Sequence, residues 1–404
     1  MKDYKKHKLK FNTYLEKLYQ SDKAIIIYKV ENGYNIYTDF SKKIKLSINN
    51  ANQFFNLIKK KKYKNETDLF IGFFGYEILC NLQNIKIKKQ KRLNFYKGIF
   101  YKPETIIKIR DKIKIFSTVK NHKFNNLFSQ TKILSPFKLN INYKKYKKIF
   151  ELFSKKIKKG ETYQIKICTK YKNRSKINPI NFFWKLMKVN SSPESFMIRD
   201  KDYSIVSCSP ETLINKKGRK IVTKPIAGTL RKTKNLNKRK AHIFFKNNGK
   251  ETKEHNMIVD MERNDLSKIC NPGTVKVYKQ KYVEEYKHLF HYVSSIQGLI
   301  KRDVSLIDII KSMMPGGSVI GCPKLRTLEL LNNQEKEDRN IFTGSFGYIK
   351  FNEDMRFNII IRSILNFKNV SEISAASGVI LDSSPKKEFN ENFIKAKSLL
   401  ELFK

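Results

Sequence analysis

The sequence has few cysteines, no long apolar run and a shortage of acidic residues. The five cysteines among 404 residues are scattered and form no CxxC pair, which excludes a disulfide framework and a cysteine zinc site. No stretch approaches the roughly 18 apolar residues of a membrane span. The first residues also lack the apolar core of a signal peptide. We therefore expect a cytoplasmic protein with reduced thiols and no membrane contact.

Basic residues strongly outnumber acidic ones, with 84 Lys and Arg against 36 Asp and Glu, for a formal net charge of +48. Such a charge would ordinarily favour a nucleic-acid partner. Here the lysines are spread over the whole chain, and no RNP, KH or helix-turn-helix signature is present. We expect anionic small substrates, non-specific nucleic-acid binding at low salt, and no specific nucleic-acid partner.

Apolar periodicity indicates that helices and strands are intermingled. Residues 24–39 and 105–117 alternate apolar and polar residues around short turns, which is typical of β-hairpins. Residues 143–157 show helical spacing. The expected fold class is α+β with mostly antiparallel sheets. We place an N-terminal region at 1–141 and a second region at 142–404.

The end of the chain is predicted in more detail. Strands are expected at 345–351, 357–366 and 372–381, the first two joined by a turn at 352–354. The last helix is expected to bury the apolar residues that recur along it, namely Phe389, Phe393, Ala396, Leu400 and Phe403.

Two helical segments each carry glutamates three residues apart, Glu251 with Glu254 and Glu388 with Glu391. Such residues lie on one face of a helix, so each pair presents two carboxylates in one direction. If the pairs met, their repulsion would have to be offset by a cation, and Mg²⁺ prefers oxygen ligands. The alternative is two solvated helix faces, since charged residues are usually exposed.

A series of motifs resembles a known family. In chain order they are GETYQIKI, SIVSCSPETLI, VTKPIAGTLR, KETKEHNMIVDMERND, EYKHLFHYVSS, PGGSVIGCPKLRTLELL, TGSFGYI, NIIIRS and SGVILDSSPKKEFNENFIKAK. Over residues 142–402 they resemble the chorismate-binding enzymes. The resemblance implies the fold of anthranilate synthase component I, a sandwich of mostly antiparallel sheets flanked by helices. The catalytic domain would be 142–404, preceded by the family's N-terminal region at 1–141.

The resemblance also implies roles for the glutamates. Glu251, Glu254, Glu388 and Glu391 would surround Mg²⁺, Glu254 and Glu391 most directly, and the ion would hold the ring carboxylate of chorismate. Glu211, in the SPE motif, would be the general acid that protonates the departing ring hydroxyl. A lone glutamate in a turn is otherwise usually solvated.

Other matched positions concern the nucleophile and the substrate. Gln164 stands where members that add water have a lysine, so it indicates addition of ammonia, which needs no such base. A buried strand glutamine satisfied by its neighbours is the alternative. His291 would assist pyruvate elimination, although a packed core histidine is the simpler explanation. The implied substrate contacts are Gly228, Thr229, Ser318, Arg362, Gly378 and Lys395.

Some of these contacts have simpler explanations as well. The PIAGT segment that holds Gly228 and Thr229 is typical of a turn at a strand end, and PGGS, which holds Ser318, is typical of a loop. Lys395 lies one turn beyond Glu391, so an intrahelical ion pair competes with a substrate contact.

The motifs divide on the product. Ala227 in PIAGT favours anthranilate, whereas PGGS, TGSFGYI and FNIIIRS look more like the aminodeoxychorismate branch. We predict Mg²⁺-dependent amination of chorismate and pyruvate elimination to anthranilate, with 4-amino-4-deoxychorismate as the alternative product. Two alternatives of another class are a basic nucleic-acid-binding protein and a catalytically dead relative that serves as a binding module.

Two expectations concern partners and regulation. No cysteine lies in a glutaminase elbow, so ammonia would come from a separate glutamine amidotransferase subunit, component II. Residues 191–197 read SSPESFM where NPSPYMF is usual in relatives inhibited by tryptophan. Tryptophan inhibition is therefore predicted to be weak or missing.

Overall fold

The computed structural model describes residues 13–87, 93–119, 130–233, 235–286 and 289–404, with only the backbone of Lys250. The described chain opens with helical residues 13–20. The helices that follow are α1 (Ala51–Lys59), α2 (Tyr76–Leu82), α3 (Tyr143–Lys158), α4 (Pro179–Val189), α5 (Lys238–Asn247), α6 (Gly249–Ile269), α7 (Leu306–Met313), α8 (Lys324–Gln334) and α9 (Pro385–Leu400), with 3₁₀ turns at Ile48–Asn50, Gly317–Val319 and Glu401–Phe403.

The strands lie between and around these helices. They are β1 (Ile25–Val30), β2 (Gly33–Lys45), β3 (Leu69–Phe74), β4 (Gly98–Ile109), β5 (Ile113–Ser117), β6 (Lys132–Ile133), β7 (Lys138–Leu139), β8 (Gln164–Lys176), β9 (Phe196–Arg199), β10 (Tyr203–Ser207), β11 (Thr212–Lys217), β12 (Lys220–Lys224), β13 (Ile226–Arg231), β14 (Lys276–Glu285), β15 (Leu289–Leu299), β16 (Gly321–Cys322), β17 (Ser345–Lys350), β18 (Met355–Asn358), β19 (Ser363–Phe367) and β20 (Val370–Val379).

The pairings between named strands are antiparallel throughout the described ranges. This confirms the predicted α+β class with mostly antiparallel sheets. One path of neighbours runs from β15 through β12, β11, β18, β17, β3, β4, β2, β1, β9, β10, β19 and β20 to β8. Early strands therefore pair with late ones, and the division at residue 141 stays a prediction.

Local signals account for many element ends. The predicted hairpins are confirmed, and Asn32 takes the left-handed φ of 59° that its turn requires. Helix α3 stops before Gly160, whose φ is 75°.

Aromatic rings pack in the interior. The centroid of the Phe100 ring lies 4.8 Å from that of Phe54 and 4.8 Å from that of Phe74. Such rings anchor the sheet because each buried aromatic removes a large apolar area from water.

Two details of the C-terminal prediction are wrong. The strand expected at 357–366 is interrupted, because β18 ends at Asn358 and β19 begins only at Ser363. Between them Ile359 N–H bonds to the Glu211 carbonyl at 3.2 Å, and Arg362 adopts a left-handed φ of 50°. The chain therefore leaves the ladder next to Glu211 and turns at Arg362.

At the last helix, Ala396 and Phe403 are buried as expected and Phe389 and Leu400 are half-buried, but the prediction for Phe393 is wrong. Phe393 is 49% exposed, whereas Glu388 and Asn392 are almost fully buried. The reason is that Asn392 donates its side-chain N–H to the Ile167 carbonyl of β8 at 3.2 Å, which turns a polar face toward the sheet. Among the described residues, no helix is both long and apolar enough to cross a membrane.

Candidate active site

A cavity of about 1150 Å³ opens between strands β8 and β13 and helices α6 and α9. Its wall includes most residues that the sequence singled out, although they come from distant parts of the chain. These are Glu211, Gly228, Thr229, Glu251, Glu254, Ser318, Arg362, Glu391 and Lys395. The remaining ones, Gln164, His291, Gly378 and Glu388, lie behind or beside this wall, as their contacts below show.

Glu254 lies on the second turn of α6, a helix capped by Asn248, whose side chain accepts the Glu251 N–H at 3.2 Å. Gln164 Nε2 and Lys166 Nζ both donate to Glu254 Oε1, at 2.8 and 2.7 Å. The Lys166 ammonium is the main reason that the pKa of Glu254 falls to about 2. Burial would lower the pKa of Lys166, but the neighbouring carboxylates outweigh it, so that pKa is raised.

Lys166 is the site residue that the sequence analysis missed. It stands two residues after Gln164 on β8, and successive even positions of a strand share a face. That spacing was the available signal. Gly378 lies opposite Lys166 on β20. A Cβ on Gly378 would come within 2.7 Å of Gln164 Nε2 and 2.8 Å of Lys166 Nζ, so a glycine leaves room for both donors.

Glu391 faces the same cavity from α9. Its carboxylate pairs with Lys395 at 2.7 Å, the intrahelical ion pair considered above, and Lys395 also donates to the Ala376 carbonyl at 2.9 Å. Burial would raise the pKa of Glu391, but Lys395 and Lys166 outweigh it and the pKa is lowered. Glu254 repels Glu391 electrostatically, which is consistent with the carboxylates sharing one space.

Glu388 is placed differently from its partner Glu391. It is 1% exposed, accepts a hydrogen bond from Ser383 Oγ at 3.2 Å, and is absent from the cavity wall. In the part of the chain that the structure describes, no three acidic, histidine or cysteine side chains are close enough to hold a metal ion. The four glutamates therefore do not form a closed cage here. Lys166 and Lys395 offset the charge of Glu254 and Glu391 instead.

The donor set is nevertheless chemically suited to Mg²⁺. Glu251, Glu254 and Glu391 bring only carboxylate oxygens to the cavity wall, and hard divalent ions bind such oxygens while keeping several waters. A metal at this place would have to share or replace the lysine contacts.

Glu211 follows Pro210 immediately before β11 and is 5% exposed. Burial raises its pKa to about 7, although the Ser318 hydroxyl, which donates to Oε1 at 2.8 Å, partly opposes the shift. Near neutral pH a large fraction of this carboxyl is therefore protonated. A carboxylic acid in that state can donate a proton within the cavity.

Thr229, His291 and Arg362 form a polar group on the β13 side. Thr229 Oγ1 lies 3.0 Å from His291 Nδ1, and Arg362 donates to Thr229 Oγ1 at 3.5 Å. Burial, followed by the charge of Arg362, lowers the pKa of His291 to about 3. His291 is thus neutral, and its Nε2 is buried without a described protein partner.

Gly228 makes this side of the cavity possible. Its φ of 93° is one that other residues rarely adopt. A Cβ there would also lie 2.7 Å from the Phe245 ring and 3.2 Å from Glu251 Oε2. The glycine therefore lets α5 and α6 pack closely against the PIAGT strand.

A smaller cavity of about 110 Å³ adjoins the large one and shares Lys166, Arg362 and Lys395 with it. Its other walls include Phe342 and Ala375, and none of the described residues that line it carries a carboxylate. The site thus has an acidic side and a basic side with apolar surface. This polarity suits a small anionic ring that has carboxylates of its own.

A cavity of this polarity in an antiparallel α+β fold, with a partly protonated carboxyl in its wall, is that of an enzyme for small anions. The chain belongs to the chorismate binding enzyme family, which matches residues 12–401.

Individual relatives carry more than one name. An anthranilate synthase component I-like protein of Synechocystis is 32% identical over 82% of this chain and 72% of its own length. Aminodeoxychorismate synthase component 1 of Bacillus subtilis is 36% identical over 59% of this chain and 51% of its own length. An anthranilate synthase component 1 of Buchnera aphidicola is 30% identical over 96% of this chain and 81% of its own length.

Solved structures share the fold. Anthranilate synthase component I of Streptococcus pneumoniae matches with a TM-score of 0.76 and 24% identity over 94% of this chain and 91% of that one. The menaquinone-specific isochorismate synthase MenF of Escherichia coli matches with a TM-score of 0.75 and 16% identity over 95% and 90%. At these identities the likeness concerns the fold alone.

Proposed function

We propose that the protein aminates chorismate with ammonia and eliminates pyruvate to give anthranilate, the first step of tryptophan biosynthesis. The proposal rests on two features of the site: a buried carboxyl that can donate a proton, and an uncharged glutamine at the position where a water-activating lysine would be expected. Glu211 has its pKa raised to about 7 and faces the cavity. Gln164, which lies behind the cavity wall, has no amine that could accept a proton, and its side-chain N–H is already donated to Glu254.

The chain's own residues divide the work. Glu211 gives its proton to the departing ring hydroxyl, since hydroxide is a poor leaving group. Arg362 and Lys395, which line both cavities, hold the substrate carboxylates. His291, neutral and buried, is positioned by Thr229 for pyruvate elimination. Glu251, Glu254 and Glu391 would hold Mg²⁺, which when bound supplies positive charge to the ring carboxylate.

Addition of water is the competing chemistry, because isochorismate synthases share this fold. It would need a neutral amine near the ring to activate water. Lys166 is the nearest lysine to Gln164 on β8, but its pKa is raised and its ammonium is bonded to Glu254. A lysine kept protonated is a poor base, so ammonia is the nucleophile that the site favours.

The choice of anthranilate rests on Ala227, which is buried beside Gly228. The second candidate product is 4-amino-4-deoxychorismate, favoured by the 36% identity to the Bacillus subtilis aminodeoxychorismate synthase component. Incubation with chorismate, Mg²⁺ and an ammonium salt is expected to yield blue-fluorescent anthranilate, measured by fluorescence and mass spectrometry. Accumulation of 4-amino-4-deoxychorismate would move the assignment to the other branch, and isochorismate would contradict the proposed nucleophile.

Ammonia is proposed to come from a glutamine amidotransferase subunit. With the purified chain alone, glutamine is therefore expected to give no product, whereas ammonium salt supports turnover. Product from glutamine without a second protein would contradict this part of the proposal.

We expect tryptophan to inhibit weakly or not at all. In the SSPESFM segment, the side chain of Glu194 is fully buried and accepts hydrogen bonds from Tyr28, Thr212 and Arg356. Asn358 donates to the Glu194 carbonyl at 3.0 Å. The space around Glu194 is therefore occupied by the chain's own side chains, which leaves no room there for a bound tryptophan. A tryptophan titration, with phenylalanine in parallel, checks the expectation, and half-inhibition at micromolar tryptophan would contradict it.

A further inference from the structure

Lys166 is a buried cation among carboxylates that are proposed as metal ligands. Its side chain is 9% exposed, and its ammonium lies 2.7 Å from Glu254 Oε1. The electrostatic influence of Glu391 and Glu388 also reaches it. Gly378 provides the space in which the ammonium sits, since a Cβ there would approach Lys166 Nζ to 2.8 Å. The absence of a side chain at residue 378 therefore leaves room for the lysine head group.

A lysine ammonium and a divalent ion make competing demands on one carboxylate. Both need the Glu254 oxygens, and like charges held a few ångströms apart repel each other. Gln164 keeps the Glu254 carboxylate in a fixed orientation from the same strand. A metal that approaches this carboxylate therefore meets Lys166 already in place.

The small cavity can accommodate the ammonium of Lys166 when a metal displaces it from Glu254. Lys166 lines the small cavity as well as the large one, together with Arg362 and Lys395. An anionic substrate group in the small cavity would attract it there. A flexible four-carbon stem allows such a movement without a change of the backbone.

We propose that Lys166 is a resident cation that competes with the divalent metal for Glu254 and moves toward an anionic substrate group when the metal binds. This inference rests on the metal site of the proposed function. Its consequence is that metal binds weakly to the substrate-free protein and more tightly with an anionic ligand present, since each ligand removes a cost of the other. Lys166 then acts as a positioning residue that lowers the affinity for metal until substrate binds, and we call this role the gate.

Mn²⁺ is a suitable probe, because carboxylate sites that take Mg²⁺ also take Mn²⁺, and its free form is measured by electron paramagnetic resonance. With substrate-free protein, K166M is expected to bind Mn²⁺ at least ten times more tightly than the unaltered chain. Methionine keeps the length and bulk of the lysine stem but carries no charge. K166R is expected to bind no more tightly than the unaltered chain, because a guanidinium also holds a carboxylate.

The control is K397M. Lys397 lines the same large cavity, its side chain is 61% exposed, and its ammonium lies 4.0 Å from the Glu401 carboxylate. This variant removes a positive charge from the cavity without touching Glu254, so its Mn²⁺ affinity is expected to change less than threefold. Equal tightening in K397M would show a general field effect and overturn the specific role of Lys166.

The outcomes separate this inference from the proposed function. If K166M binds Mn²⁺ no more tightly than the unaltered chain while chorismate is still aminated, the gate is wrong and the enzyme assignment stands. If K166R binds more tightly, the gate is also wrong, and this variant decides should K166M fail to fold by circular dichroism. If neither the unaltered chain nor any variant binds Mn²⁺ at millimolar concentration, both the proposed metal site and the proposed role of Lys166 are wrong.

Discussion

Replacing Glu211 with glutamine is expected to lower kcat by about 10²–10⁴-fold, the usual contribution of a positioned general acid. Glutamine has nearly the same shape, and its carbonyl can still accept the Ser318 hydroxyl that now bonds to Glu211 at 2.8 Å. The loss would therefore report the missing proton and not a collapsed site. Steady-state kinetics with chorismate and ammonium salt measure it.

The pH dependence of this effect has a definite sign. Burial raises the pKa of Glu211 to about 7, so the proton-donating form predominates below that pH and disappears above it. At a constant concentration of unprotonated ammonia, kcat of the unaltered chain should fall as pH rises through about 7. The same limb should be missing from the profile of E211Q. A profile that is flat up to pH 9 would rule out Glu211 as the acid.

Glu262 supplies a matched control for this prediction. It is also a buried glutamate with a raised pKa, about 8, and it accepts a hydrogen bond from Thr223 at 3.2 Å. Glu262 is not part of the cavity wall. E262Q should change kcat only a few-fold. A loss as large as that of E211Q would mean that buried acids in general, and not Glu211 in particular, sustain the activity.

Replacing Glu254 with glutamine is expected to reduce both activity and stability. The site would lose a proposed metal ligand, and we expect kcat/KM to fall by at least about 100-fold, the upper range for residues that support a metal centre. The Lys166 ammonium would lose its carboxylate partner. The glutamine carbonyl can still accept the Lys166 N–H, but the buried ammonium is left without an opposite charge, and we expect a loss of about 1–3 kcal/mol in the free energy of unfolding. Kinetics and urea denaturation measure the respective losses.

The stability difference should itself depend on pH. The pKa of Glu254 is lowered from 4.5 to about 2, mainly by Lys166. Its ion pair therefore contributes fully above about pH 4.5 and is lost as pH falls toward 2. The gap in unfolding free energy between the unaltered chain and E254Q should shrink over that interval. A gap that stays constant from pH 7 to 3 would contradict the ion pair as its source.

Glu401 offers the control for E254Q. It lies on the wall of the same cavity, on the turn after α9, and its carboxylate pairs with Lys397 at 4.0 Å. E401Q removes a carboxylate at the rim without affecting Lys166. Both activity and stability should remain close to those of the unaltered chain, since exposed ion pairs contribute little.

Much of this architecture was predictable because it is local. The hairpin at Asn32, the end of α3 at Gly160 and the helix that starts at Pro179 follow from turn and cap chemistry within a few residues. The family could be identified because its motifs are short and keep their order along the chain. Gln164 and Glu211 were found on that basis, whereas the glutamates of α6 and α9 were first singled out by their helical spacing.

The misses share one cause, which is contact between distant segments. The break at Arg362 depends on hydrogen bonds from residues 359 and 360 to Glu211 and Gly344. The face that α9 buries depends on how Asn392 meets β8. Neither contact leaves a periodic signal in its own segment, so the hydrophobic pattern alone gave the wrong strand length and wrongly counted Phe393 among the buried residues.

By itself, the sequence determined which chemical groups are available and which elements carry them: acids at helical spacing on α6 and α9, and an amide on β8. Only the tertiary structure decided that Lys166 shares Glu254 with Gln164 and that Glu388 lies beside Ser383, outside the cavity wall. The physical reason is that element type follows from neighbouring residues, whereas the balance of buried charge depends on which remote side chains share one space.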